Sequence, residues 1–89
     1  MKPITPEQAR KNLEIPDGAI KVINNVIVTH FTGTESIFTK IYLRNALYDA
    51  GFANTTIDSI FVRMINLYSN SGWRIDEREH GFIFTELLN

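Results

Sequence analysis

The sequence predicts an α+β domain of three or four helices followed by a C-terminal antiparallel β-hairpin. Three observations carry that expectation. Apolar residues recur with helical spacing in separate stretches between Pro16 and Asn70, the period changes to strict alternation from Trp73, and turn or cap residues punctuate every junction. With 89 residues and 44% hydrophobic content, the chain has room for one small domain and enough apolar matter to form its core.

Thr5-Pro6-Glu7-Gln8 is the first start signal: Thr5 can cap, Pro6 suits the first helical position, and Gln8 completes a capping box, which predicts a short helix over 6–12. Ile15-Pro16-Asp17 ends it, because a residue before proline is pushed out of the α region. From Pro16, the residues Ala19, Ile20, Ile23, Val26, Ile27 and Phe31 share one helical face, predicting a helix stopped by Thr32-Gly33. The β-branched residues crowded into 25–31 leave a strand as the alternative there. The stretch 36–38 reads equally as a strand or as a first helical turn.

Ile41, Leu43, Ala46, Leu47 and Ala50 predict a helix over 38–50, with Gly51 placed as a left-handed C-terminal cap. In Asn54-Thr55-Thr56-Ile57-Asp58, Thr55 and Asp58 resemble a capping box opening the longest helix, whose buried face is Ile57, Ile60, Phe61, Met64, Ile65 and Tyr68. Ser71-Gly72 closes it. Trp73-Arg74-Ile75-Asp76-Glu77 and Gly81-Phe82-Ile83-Phe84-Thr85 then make a hairpin around Arg78-Glu79-His80-Gly81, with Trp73, Ile75, Phe82 and Phe84 on one face. Trp73 is expected in the core, holding the hairpin against the longest helix.

Several function classes are disfavoured by composition. Nine Lys and Arg against 10 Asp and Glu leave a charge of -1, which supplies no field for nucleic acid or anionic membranes. Without cysteine there is no thiol catalysis, disulfide or Cys-ligated metal. No Gly-rich phosphate loop, nucleophile–base pair or paired carboxylates appear, so no enzymatic activity, catalytic residue or cofactor is expected. His80 with Asp76, Glu77 and Glu79 lacks ligand spacing, and no metal site is expected; His30 suits a helix C-terminus. Nothing resembles a signal peptide or a span of roughly 20 apolar residues, which leads to the expectation of a cytosolic protein with no membrane contact.

Helix, helix, helix, hairpin is also the order of a winged helix-turn-helix. In that reading 38–50 is the positioning helix, 56–70 the recognition helix and 78–81 the wing tip. Ser59, Arg63, Asn66 and Asn70 then form the candidate nucleic-acid face, because Arg and Asn suit guanine and adenine edges. Only one of the four is a cation and the wing is acidic, so a solvated polar face is the competing account. Such a regulator requires Arg63, Arg74 and Arg78 to converge beside one helix face. Tyr42 and Tyr48 lie on the flank of their helix and are the candidate protein-contact residues, together with Ile83 on a hairpin strand expected to have an open edge.

Ala9-Arg10, Ile15-Pro16-Asp17, Asn24 or Asn25, Gly72-Trp73-Arg74-Ile75 and Phe82-Ile83-Phe84 together resemble a group of small tailed-bacteriophage proteins of hypothetical or virion-associated character. The likeness spans most of the chain. The hairpin connection departs from the group's pattern, being short and without its Pro- and Tyr-containing stretch. The resemblance implies a phage-encoded accessory or structural protein of the virion or host cytoplasm, non-enzymatic, bound to a protein partner or to itself. It carries over no catalytic or ligand residue.

Overall fold

The computed structural model describes residues 3–6 and 15–87. The expected helix at 6–12 falls, beyond Pro6, on residues outside that range. Helix α1, Asp17–His30, follows Pro16 directly, whose carbonyl accepts the amide protons of Ala19 and Ile20. The β-branched stretch 25–31 is therefore helical up to His30. Its apolar stripe of Ala19, Ile23, Val26 and Ile27 is buried against the other elements, and that burial outweighs the modest helix propensity of Ile and Val.

Strand β1, Glu35–Thr39, resolves the ambiguity at 36–38, and helix α2, Lys40–Asp49, begins at once. Thr39 decides this junction. Its backbone is extended while its hydroxyl accepts the Tyr42 amide proton at 3.0 Å, so one residue ends the strand and caps the helix. The helix starts two residues later than its apolar spacing suggested, and Phe38 becomes a buried strand residue. At the far end the Phe52 amide donates to the Leu47 carbonyl and the Gly51 amide to Tyr48, with Gly51 at φ 103°. This two-bond reversal needs a left-handed residue, which glycine adopts without a Cβ penalty.

Helix α3, Asn54–Ser69, starts on an extended Ala53 without a side-chain cap. The expected Thr55–Asp58 capping box is not formed, because Thr55 already lies inside the helix and Asp58 takes the Arg44 guanidinium of α2 instead. Strands β2, Trp73–Glu77, and β3, Gly81–Glu86, form the expected hairpin.

The sheet has three strands in the order β1-β3-β2, all antiparallel. The hairpin is thus completed by a strand drawn from between the first two helices. Ser36 pairs with Phe84 and Phe38 with Phe82, while Ile75 pairs with Phe84 from the other side. Phe82 and Phe84 accordingly stand in the middle of the sheet's inner face, where they meet Phe38, Phe61, Tyr68 and Trp73 in tilted or edge-on ring contacts. Leu43, Leu47, Ile57, Ile60 and Met64 close the core over them. Among the described residues Ser36 is the buried polar exception, and its hydroxyl donates to the Ile27 carbonyl at 2.8 Å, tying β1 to α1. Trp73 is partly buried between Phe31 and Phe84, not enclosed as expected, because its strand lies at the sheet edge.

Candidate interaction surface

Helix α2 buries only Leu43 and Leu47, with Ala46 half-covered. Ile41 is 70% exposed, Tyr42 48% and Tyr48 60%, an apolar density unusual for the outside of a ten-residue helix. Ile41 and Tyr48 are seven residues apart and so lie on one stripe, with Asn45 between them. The sequence placed Tyr42 and Tyr48 on this flank but counted Ile41 into the core. Ile41 sits two residues before Leu43, about 200° around the helix, and its seven-residue offset from Tyr48 was the signal that joins it to the outer stripe. Ala50, also counted into the core, is exposed beyond the helix end.

Tyr42 has a second role in shaping this surface. Its ring meets His30 edge-on at 4.8 Å, and it walls a shallow groove of about 220 Å³ with Val22, Asn25, Val26 and Thr29 of α1. The His30 ring donates from Nδ1 to the Val26 carbonyl at 2.8 Å, which satisfies the end of α1 and fixes the ring beneath the tyrosine.

Ile83 is not on an open edge. Strand β3 is central and hydrogen-bonded on both sides, so the edge expected to be open at Ile83 is filled by β1, and the outer strands are β1 and β2. Its half-buried side chain stands on the outer sheet face directly opposite the exposed Ile37. No sequence period could show this, since Ile37 reaches it from 46 residues away.

On α3, Ser59, Asn66 and Asn70 are exposed and Arg63 is half-buried. The basic residues around them are largely engaged. Arg44 pairs with Asp58 and lies 5.4 Å from the Phe61 ring centre; Lys40 Nζ is 3.1 Å from Glu77 Oε2 and 5.5 Å from the Phe82 ring centre; Arg78 is 2.7 Å from Asp76. Arg74 shares the outer sheet face with Asp76, opposite the inner face that carries Trp73 and Ile75 against the helices. Arg63, Arg74 and Arg78 therefore do not converge on one helix face. Among the wing carboxylates, Glu77 and Asp76 are turned to Lys40 and Arg78, and only Glu79 approaches His80, at 3.9 Å. Among the described residues no group of three or more His, Asp or Glu is placed to hold a metal ion, and no helix is long and apolar enough to cross a membrane.

Among the described residues one titratable group is displaced. Burial pushes the Tyr68 phenol up to about 12, while its hydroxyl donates to Asn24 Oδ1 at 2.7 Å. This bond links α3 to α1. No family model matches the chain, and no curated protein or solved structure matches it, so its own residues carry the functional reading.

Proposed function

We propose that this chain is a non-enzymatic protein-binding module, a small phage-encoded accessory or virion-associated protein acting in the host cytoplasm or the virion. The exposed Ile41, Tyr42 and Tyr48 of α2 carry this reading. Tyrosines are amphipathic, lose little entropy when ordered, and are enriched where proteins meet proteins. The partner is a complementary protein surface, a second copy of the chain included. The phage setting is supported by the Ile15-Pro16-Asp17, Gly72-Trp73 and Phe82-Ile83-Phe84 motifs.

A second reading, a winged-helix DNA-binding regulator, is favoured by one observation. Helix, strand, helix, helix, strand, strand with β1 added beside β3 is the connectivity such a domain has, and it turns Ser59, Arg63, Asn66 and Asn70 along α3. Electrostatics count against it. Lys40, Arg44 and Arg78 already face carboxylates of the same chain, so phosphate contact first has to break those pairs.

A pull-down from expressing cells, with and without nuclease, separates the two. Protein capture that survives nuclease and is lost in Tyr42→Ser/Tyr48→Ser, with folding verified by circular dichroism and self-association followed by light scattering, is the expected result. Capture abolished by nuclease supports the regulator. A strictly monomeric chain that retains no protein overturns the interaction reading.

A further inference from the structure

A second concavity opens where both long helices end. It encloses about 500 Å³ and shares no residue with the α2 surface; Val28 and Phe31 come from the end of α1, Ser71 and Gly72 from the turn after α3, Trp73 from β2 and Glu86 from β3. Val28 is 73% and Phe31 42% exposed, and the Phe31 and Trp73 rings meet edge-on at 5.9 Å. The cleft therefore has an aromatic wall, exposed at Phe31 and half-buried at Trp73.

Its electrostatics all have one sign. Glu86 is exposed at the rim, and no Lys, Arg or His is among the described residues that line the cleft. The C-terminal ends of α1 and α3, the negative poles of their helix dipoles, both terminate here. His30, the basic residue of the last turn of α1, directs its ring to Val26 and Tyr42 instead. Aromatic faces are themselves negative. An anion is repelled by every one of these features, and a neutral apolar group contacts the rings but leaves Glu86 and the helix ends unused.

We propose that this cleft receives an arginine side chain presented by a partner protein, its guanidinium stacked against the Phe31–Trp73 wall and paired with Glu86. A guanidinium fits better than an ammonium because it is planar, weakly hydrated, stacks on aromatic rings and meets a carboxylate with two parallel hydrogen bonds. The source of the arginine rests on the reading of the chain as a protein-binding module; the chemistry of the cleft does not.

Trp73 is the one tryptophan of the chain, so its fluorescence reports on the cleft without labelling. The full chain is titrated with Nα-acetyl-arginine amide, and with the citrulline amide as a neutral probe of the same shape. A saturable change in Trp73 emission is expected with the arginine amide, weaker by about five-fold or more with citrulline, and weakened to a similar degree in Glu86→Gln, whose exposed position leaves the melting temperature unchanged. No saturable response, equal binding of citrulline, a Glu86→Gln chain that binds like wild type, or a lysine amide that binds as tightly as arginine overturns the proposal. Tyr42→Ser/Tyr48→Ser lies outside the cleft and responds to the arginine amide as wild type does. A failed titration therefore overturns the cleft assignment and leaves the α2 reading standing, whereas a failed pull-down overturns the α2 reading and the partner-protein source of the arginine and leaves the chemistry of the cleft standing.

Discussion

Tyr68 shows how one side chain couples packing to pH. Its ring packs on Phe84 while its hydroxyl reaches across to Asn24, so its ionised form is disfavoured in the folded state and its pKa rises to about 12 from 10.0. The folded pKa exceeds the unfolded one, so the contribution is fully present below pH 10 and is lost as pH climbs through 12. Tyr68→Phe is expected to cost about 1 kcal/mol near neutral pH, because the exposed Asn24 can hydrate in place of the lost bond. The same variant should lack this component of alkaline destabilisation; urea unfolding of both chains across pH 9 to 12 checks the sign. Trp73 invites a smaller effect than a core tryptophan. Partly buried against Phe31 and Phe84, Trp73→Ala should lower stability by about 2 kcal/mol, below the roughly 3–5 kcal/mol of a fully enclosed aromatic. Thermal melts measure it.

At the level of elements, the association of β1 with the hairpin depends on a close approach. A Cβ on Gly81 would stand 2.6 Å from the Phe38 carbonyl oxygen, which belongs to the opposing backbone and has no flexible end to move aside. Gly81→Ala is therefore expected to push β1 from β3 and to destabilise the fold by about 1–3 kcal/mol. Hydrogen exchange should show the loss concentrated in the β1 and β3 amides, with α3 protected until global unfolding. Uniform loss of protection would mean that β1 and the hairpin do not separate from the rest of the core. The Thr39 junction makes the same point about helices. A strand that hands directly into α2 fixes the helix orientation through backbone bonds, including Lys40 to the His80 carbonyl at 2.9 Å, and so determines which flank of α2 faces outward.

For the whole molecule, the distribution of charge matters more than its near-zero sum. Three described cations sit in ion pairs close to α2, α3 and the wing, each with partly exposed partners that contribute little to stability yet hold the positive charge close to a negative one. Binding to a random DNA duplex pool near physiological salt is expected to be weaker than about 1 μM. Sub-micromolar affinity that falls steeply with added salt, measured by fluorescence anisotropy, promotes the winged-helix regulator and removes the protein-binding reading of α2.

Local chemistry in the sequence was enough for most elements. The periods of α1 and α3, the cap at Gly51 and the alternation of Trp73 to Glu77 and Phe82 to Phe84 each act within a few residues, and the helices and hairpin follow from them. The flank carrying Tyr42 and Tyr48 was legible for the same reason, since helical angle is a local quantity. Tertiary structure decided what depends on distant partners. The fate of 36–38 was settled by pairing with β3, which left Ile83 on a central strand, and Asp58 left its expected cap for Arg44 on another helix. The Phe31–Trp73–Glu86 cleft likewise exists only because the ends of α1, α3 and β3 meet. None of these partnerships has a sequence period, because the energy that selects them comes from contacts made only after the chain has folded.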